Sequence, residues 1–298
     1  MMPNFLVIGA ARSGTTSLHH YMRVHPEIFM SPVKEPNFFA FEGERFDVRH
    51  EAPGWRHWSR HSTPNPEEYR ALFRDVKAEK AIGEASPSYM RSPGAAERIR
   101  RALPDARLIA ILRDPAERAY ANYMGRLRDG TERTPDPHDA IMDALGGRGP
   151  DWRREVYIDL GLYHERLRPF YERFDRDRIR VVLFDDFVRD RHAVLRELFS
   201  FLGVDPAFEP DTSIVYNSSG RIVNPLLRFA WTHSNVLRAR VQPWLPRPVR
   251  EAGWALIQRN LSRPPLPPDL RAALVERYRA DILELERLLD RDLSRWRT

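Results

Sequence analysis

Residues 5–18 read FLVIGAARSGTTSL and combine an apolar run, a loop of small residues and the start of a helical pattern. The apolar run 4–8 predicts a short strand, and the spacing of Leu18, Tyr21 and Met22 predicts the helix that follows. A strand, a small-residue loop and a helix in this order point free backbone N–H groups and a positive helix end at a phosphate. The stretch therefore predicts a phosphate-binding loop.

This loop has the spacing of a P-loop but lacks its lysine. Gly9 and Gly14 match the two glycines of GxxxxGK[ST], and Thr15 stands where the motif has lysine. Triphosphatases and kinases use that lysine to reach the β- and γ-phosphates, so its absence argues against ATP and for a shorter anionic group. The alternative is a helix start that is rich in Gly, Ser and Thr without a ligand.

Apolar runs and helical patterns alternate along the rest of the chain. Further strands are predicted at 80–83, 107–112 and 179–184, with helices at 93–103, from Pro115 onward and at 191–202. The run at 107–112 is apolar enough to be buried on both faces. This alternation predicts an α/β fold with a P-loop-like, mostly parallel sheet flanked by helices.

Two stretches interrupt the alternation. Residues 41–66 are rich in His, Trp, Arg and Pro and predict a long loop, and residues 242–268 are rich in Pro. A final helix follows, with an apolar stripe from Leu270 to Leu289, and we expect it to end near Trp296. The whole pattern predicts a single domain over residues 1–298 with a C-terminal helical cap.

The amino-acid composition excludes several classes of protein. The 298 residues are 42% hydrophobic, carry a net charge of +6 and include no cysteine, which excludes a mainly disordered chain, disulfides and a thiolate nucleophile. No apolar run approaches the ~20 residues of a transmembrane segment, and the first nine residues do not resemble a secretory signal, so we expect a cytoplasmic protein. Basic and acidic residues alternate, as in RFDRDR at 173–178, which gives nucleic-acid binding little support.

Residues 5–18 resemble the 5′-phosphosulfate loop of the sulfotransferases that use 3′-phosphoadenosine 5′-phosphosulfate (PAPS). Further similarities follow in the family's order: SPVKEPNFF at 31–39, GEASPSY at 83–89, LRDPAERAY at 112–120, NSSGR at 217–221 and the C-terminal helix. The type resembled is the bacterial and glycan-modifying branch, whose base is a glutamate. The resemblance implies PAPS as donor, adenosine 3′,5′-bisphosphate as product, and no metal ion.

The resemblance places the donor at three stretches of the chain. The N-terminal stretch supplies Arg12, Ser13, Gly14, Thr15, Thr16 and Ser17. Arg12 would neutralise the phosphosulfate or its leaving oxygen, unless it pairs with a nearby acid. Arg113 matches the arginine that contacts the 3′-phosphate, for which a guanidinium is well suited, although Ala121 replaces the family's serine and Asn122 is its neighbour. Gly220 and Arg221 match a late loop over the nucleotide, or form a plain surface turn.

The resemblance also assigns the catalytic residues. Glu35 matches the general base, and Lys34 beside it is the second catalytic candidate, with simple surface pairing as its alternative. Adjacent side chains on an extended backbone point in opposite directions, so the sequence leaves open whether Lys34 faces the site together with Glu35. Glu84 matches an acidic position beside the acceptor and could equally cap a loop. Ala85 stands where glycosaminoglycan-modifying members carry lysine, so a polyanionic glycan acceptor is not implied.

Other interpretations stay open at this point. A P-loop kinase would bind ATP and magnesium, and a non-catalytic member of the fold would only bind a partner. His57 and His61 have helical spacing suited to zinc, but acceptor contacts from Trp55 and Trp58 in the same long loop are favoured. A sugar, a lipid-linked glycan or a polyketide-type natural product would each supply the acceptor hydroxyl.

Overall fold

A computed structural model describes residues 1–44, 62–214, 216, 220–224, 226–227, 231, 253 and 260–298. Contacts group the chain into two compact units. The first comprises Met1–Pro115, Leu162–Asn217 and Tyr278–Thr298, and the second comprises Ala116–Gly161 and Ser218–Arg277. The single domain expected from the sequence stays a prediction.

The described part of the first unit contains a five-stranded sheet in the order β2-β3-β1-β4-β5. Its strands are β1 (Phe5–Gly9), β2 (Ile28–Met30), β3 (Ala81–Ala85), β4 (Arg107–Leu112) and β5 (Ile179–Leu183). All neighbouring strands are parallel. This sheet, flanked by helices, confirms the predicted fold class. The sequence analysis did not predict the edge strand β2, because three residues are too few to show a strand pattern of hydrophobicity.

The register of the sheet puts β1 at its centre. Phe5 pairs with Gly83 on one side and with Arg107 on the other. The five residues 108–112 of β4 are fully buried, as expected for a central parallel strand covered on both faces. Because the strands are parallel, their carboxyl ends meet at one edge, where open α/β sheets bind ligands.

The helices follow the predicted order with shifted ends. They are α1 (Thr15–Arg23), α2 (Phe38–Phe41), α3 (Pro66–Ala71), α4 (Ala95–Ala102), α5 (Pro115–Arg128), α6 (Pro137–Leu145), α7 (Asp151–Arg153), α8 (Tyr163–Tyr171), α9 (Phe184–Arg189), α10 (Arg191–Leu202) and α11 (Pro268–Leu289). None of these described helices is long and apolar enough to cross a bilayer. The cytoplasmic location stays a prediction.

The C-terminal part of the first unit is fixed to the start of α8. The carboxylate of Asp281 in α11 accepts hydrogen bonds from the backbone N–H groups of His164 (3.0 Å) and Glu165 (3.2 Å). These are first-turn groups that have no acceptor within α8, and a carboxylate also complements the positive end of the helix. Helix α11 ends at Leu289, short of the predicted end, and a 3₁₀ turn at Ser294–Arg297 contains Trp296.

The second unit is organised around a buried arginine. The side chain of Arg118 in α5 is fully buried, and its guanidinium donates to the carbonyls of Val156 (3.0 Å) and Tyr157 (2.6 Å). Both carbonyls lie in a π-helical turn, Arg154–Ile158, whose wider winding leaves carbonyls available for side-chain donors. Arg118 is therefore a structural residue.

Candidate active site

The loop between β1 and α1 turns sharply at Gly14. Its φ of 93° lies in the left-handed region that favours glycine. A Cβ atom there would lie 3.3 Å from the ring of Phe184, so packing restricts the position as well. Thr15 follows as the first residue of α1, and the first N–H groups of a helix have no acceptor within it. The loop therefore has the geometry of an anion site.

Ser13 brings an unused hydroxyl to this loop. Its side chain is fully buried, and its Oγ has no hydrogen-bond partner among the described residues. Buried polar groups are nearly always paired, so a bound phosphate oxygen would complete its bonding. Arg12 precedes it in a left-handed conformation (φ 67°), Thr15 is buried and Thr16 is half-buried. These residues fit a phosphate or phosphosulfate group.

Ser17 also bonds to a distant part of the chain. Its Oγ accepts a hydrogen bond from the backbone N–H of Tyr216 (3.1 Å) and lies 3.5 Å from the carbonyl oxygen of the same residue. The hydroxyl thus fixes the chain that follows α10 to the phosphate-loop helix. One acceptor position of the hydroxyl is thus used within the protein, and its contact with the donor stays a prediction.

Arg113 lies directly after β4, the neighbour of β1 in the sheet. Its guanidinium carbon is 4.7 Å from the centre of the Phe184 ring, a cation–π distance. The same ring lies against Gly14. Phe184 therefore connects the two groups that the sequence assigned to the two phosphates of the donor.

Two further donor predictions concern residues of the second unit. Ala121 is fully buried, and the amide nitrogen of Asn122 donates to the carbonyl of Val156 (3.2 Å). Gly220 is buried directly before β6 (Arg221–Ile222), which pairs with β7 (Leu261–Ser262). A Cβ atom added at Gly220 would lie 3.1 Å from the Cβ of Leu261. Packing between these strands therefore accounts for this glycine. Residues 217–219 and the Arg221 side chain lie outside the described parts of the chain, so the late loop stays a prediction.

Lys34 and Glu35 form an ion pair in the turn that follows β2. The ammonium of Lys34 donates to Oε1 of Glu35, and their side chains are 20% and 34% exposed. The sequence argument assumed an extended backbone, but Glu35 has a φ of 62°. This left-handed conformation turns the chain so that both side chains face the same way. The structure therefore brings the two side chains together, which the sequence had left open.

Glu84, the predicted acceptor contact, is enclosed within the protein. Its side chain is fully buried in β3 and accepts hydrogen bonds from the hydroxyls of Ser86 (2.8 Å), Tyr69 (3.4 Å) and Tyr89. Burial raises its pKa to about 7, and the hydrogen bonds and the charge of Lys34 oppose that rise. A carboxylate so enclosed does not reach an acceptor, so we correct this expectation to an internal role.

Backbone hydrogen bonds connect the turn of Glu35 to the phosphate-loop strand. The N–H of Glu35 donates to the carbonyl of Ala85 at the end of β3 (3.1 Å), and the N–H of Ser86 donates to the carbonyl of Val7 in β1 (3.0 Å). The carboxylate, the phosphate loop and Arg113 therefore follow the same edge of one sheet. This arrangement suits transfer of an anionic group to an acceptor whose proton is removed.

Comparison with known proteins identifies the family. A profile of the sulfotransferase family matches residues 3–210, most of the chain. The chain belongs to the sulfotransferase family. The resemblance seen in the sequence is thereby confirmed, and the P-loop-like turn described above lies within the matched residues.

Individual relatives agree with this sulfotransferase assignment. A crystal structure of a sulfotransferase from Alicyclobacillus acidocaldarius is 30% identical, superposes with a TM-score of 0.73 and covers 100% of both chains. Carbohydrate sulfotransferase 15 of Homo sapiens is 25% identical over 73% of this chain and 46% of its own length. The membrane-associated sulfotransferase kil1 of Dictyostelium discoideum is 37% identical over 41% of this chain and 22% of its own. The chain spans less than half the length of these last two relatives.

One buried titratable residue of α1 was not assigned from the sequence. His19 in α1 is 3% exposed, and its Nδ1 has no partner among the described residues. Burial, followed by the positive charge of Lys34, lowers its pKa to about 3, so the imidazole is neutral. Thr15, Leu18 and Met22 are buried on the same helix, and their spacing of three and four residues is the signal that would have placed His19 inward.

No cluster of three or more potential metal ligands occurs among the residues that the structure describes. His57, His61, Trp55 and Trp58 of the long loop lie outside those residues. The absence of a metal requirement stays a prediction.

Proposed function

We propose that this sulfotransferase moves a sulfuryl group from PAPS to a hydroxyl of a carbohydrate or small-molecule acceptor. The observation that carries the proposal is the juxtaposition of two features at one sheet edge. These are a P-loop-like turn with Thr15 in place of lysine and a carboxylate on a turn hydrogen-bonded to the next strand. The first suits a phosphosulfate rather than a triphosphate, and the second suits a hydroxyl acceptor.

The donor is proposed to bind at two anion-binding groups. The 5′-phosphosulfate would lie on the backbone N–H groups of Gly14, Thr15 and Thr16, with the Ser13 hydroxyl and the Arg12 guanidinium as further donors. Arg113 would bind the 3′-phosphate through its fork of N–H groups. The Oγ of Ser13, which has no hydrogen-bond partner in the described parts of the chain, supports the first half of this assignment. The contact of Phe184 with both groups supports the second.

In the proposed reaction Glu35 removes the proton from the acceptor hydroxyl. As it does so, the acceptor oxygen forms a bond to sulfur while the bond between sulfur and the bridging phosphate oxygen breaks. Bound PAPS supplies the electrophilic sulfuryl group and leaves as the bisphosphate. Arg12 and Lys34 place positive charge near the departing oxygen, where negative charge develops. Lys34 also fixes the position of the Glu35 carboxylate through their ion pair.

The acceptor class is proposed from the relatives. The names of two relatives specify carbohydrate acceptors. They are carbohydrate sulfotransferase 15 and heparan sulfate glucosamine 3-O-sulfotransferase 3B1 of Mus musculus. The second is 27% identical over 68% of this chain. Ala85 is fully buried and has no charge to offer a sulfated polymer. We therefore favour a neutral sugar hydroxyl, free or lipid-linked, over a polyanionic chain.

Nucleotide binding tests the proposal directly. Adenosine 3′,5′-bisphosphate should raise the melting temperature of the protein several-fold more than AMP at equal concentration, because only the bisphosphate engages both anion sites. The shift should persist in EDTA, because no step of the proposal uses a metal. Differential scanning fluorimetry with bisphosphate, AMP and Mg-ATP makes the comparison.

Either of two outcomes would contradict the donor assignment. Equal shifts from AMP and the bisphosphate would show that no second phosphate site exists. A shift from Mg-ATP alone would favour a kinase. If the bisphosphate binds as expected, incubation with PAPS and a panel of neutral glycosides, read by a mass increase of one sulfuryl group, tests the acceptor.

A further inference from the structure

Glu84 is a buried carboxyl group that the proposed mechanism does not use. Its oxygens accept from the hydroxyls of Tyr69, Tyr89 and Ser86. Each Tyr and Ser hydroxyl has one proton to donate. Because Ser86 gives its proton to Oε2 of Glu84, its lone pairs face away from the carboxylate and can accept from another donor.

That donor belongs to the turn that carries Glu35. The backbone N–H of Asn37 donates to Oγ of Ser86 (3.0 Å). The side chain of Asn37 is 1% exposed; its Nδ2 donates to the carbonyl of Glu35 (2.7 Å), and its Oδ1 accepts from Ser88 (2.6 Å). A continuous series of hydrogen bonds thus runs from Glu84 through Ser86 and Asn37 to the backbone of Glu35.

The backbone of this turn needs such support. Glu35 and Asn37 have φ values of 62° and 54°, and left-handed conformations are unfavourable for residues other than glycine. Residues persist there when the surrounding structure over-determines them. Here the determining contacts come from residues 84–88, which are distant in sequence and fully or almost fully buried.

We propose that Glu84, Ser86 and Asn37 are positioning residues that hold Glu35 in place for proton removal. The inference rests on the proposed role of Glu35 as base. When Glu84 is ionised, its carboxylate accepts from all of its hydroxyl neighbours and so orients the Ser86 proton. A Gln side chain would place an NH₂ group against some of these donors, which reverses or removes a bond in the series.

The experiment measures turnover and nucleotide affinity for matched variants. PAPS hydrolysis, with water as the acceptor, gives kcat from the release of the bisphosphate, and calorimetry gives the Kd of adenosine 3′,5′-bisphosphate. Ser86→Ala and Glu84→Gln should each lower kcat roughly 10- to 100-fold, the range for a misplaced catalytic group, with Kd within about twofold of the wild type. Ser86→Thr keeps the hydroxyl and should retain most of the turnover.

Tyr69→Phe is the control, because it removes one hydroxyl from Glu84 without touching the series to Asn37. It should leave kcat within about twofold even where it lowers the melting temperature. Wild-type kcat in folded Ser86→Ala and Glu84→Gln, or an equal loss in Tyr69→Phe, would overturn the positioning role. Glu35→Gln is measured in parallel: near-normal turnover in that variant would overturn the base assignment itself, and the positioning role with it.

Discussion

The phosphate loop and the turn that carries Glu35 are built in different ways. The loop follows from a short local stretch: β1 ends, Gly14 reverses the chain and α1 begins at once. The Glu35 turn has no glycine and depends on hydrogen bonds from residues 85–88, about fifty positions later. The proposed anion site thus follows from a local stretch of sequence, whereas the placement of Glu35, the proposed base, depends on contacts that are distant in sequence.

This difference explains why the sequence is informative at one site and less so at the other. A local motif keeps its meaning whatever surrounds it, because backbone geometry produces it. A turn held by remote partners can be recognised only where those partners are known. The two sites should therefore also respond separately to substitution.

The largest expected effect is on turnover, from Glu35→Gln. This variant keeps the shape and removes the basicity, so kcat for PAPS hydrolysis should fall on the order of 10²- to 10⁴-fold, the range for a positioned base. The Kd of adenosine 3′,5′-bisphosphate should change less than about threefold, because the phosphate loop is untouched. Glu42→Gln is the matched control: its carboxylate pairs with Arg101 (3.2 Å) in a neighbouring segment, and its kcat should stay near the wild-type value.

A large loss of affinity for the bisphosphate in Glu35→Gln would show that the two sites do not respond independently to substitution. The turn would then also support the donor, and the base would have to be assigned by other means.

A smaller effect is expected from Arg113→Ala, and it concerns nucleotide affinity instead of turnover. Loss of a charge-assisted contact costs about 1.5–3 kcal/mol, so the affinity for adenosine 3′,5′-bisphosphate should fall roughly 10- to 100-fold while that for AMP changes little. Calorimetry with both nucleotides measures this preference. The control is Arg180→Ala, which removes an arginine of β5 that pairs with Glu197 of α10. This variant should keep the preference for the bisphosphate over AMP. A retained preference in Arg113→Ala would mean that another residue binds the 3′-phosphate.

The last effect concerns the stability of the protein and tests the raised pKa of Glu84. Burial raises its pKa from 4.5 to about 7, so between these values the folded protein holds a proton that the unfolded chain has released. The free energy of unfolding should therefore decrease as pH rises through this window, by up to about 1.4 kcal/mol per pH unit from this group, and the contribution levels off above pH 7. Urea unfolding of wild type and Glu84→Gln at several pH values measures the difference, and parallel curves for the two proteins would contradict it.

Much of the fold and part of the site could be predicted from the sequence. The strands β1, β3, β4 and β5 were found because each has an apolar run bounded by turn residues, whereas β2 is only three residues long. The phosphate loop could be recognised from its spacing alone. The loop's side chains could not all be assigned, since Ser17 bonds to Tyr216, a partner 199 positions away.

What the sequence could not supply at the Glu35 turn has a common physical origin. The relative direction of Lys34 and Glu35 stayed open because a left-handed φ at a glutamate has no local sequence signal. Glu84 was placed beside the acceptor by resemblance, and its burial depends on Tyr69 and Tyr89 packing around it. Burial of a charged residue is set by tertiary packing, which a linear pattern does not contain.

The ring of Phe184 contacts both the phosphate loop and Arg113. Because an aromatic ring is rigid, we expect it to hold the two proposed phosphate-binding regions at a fixed separation. Such a site would select a nucleotide by the distance between its two anionic groups as well as by its charge. A nucleotide whose two anionic groups have the wrong separation would satisfy one region and miss the other, however negative it is.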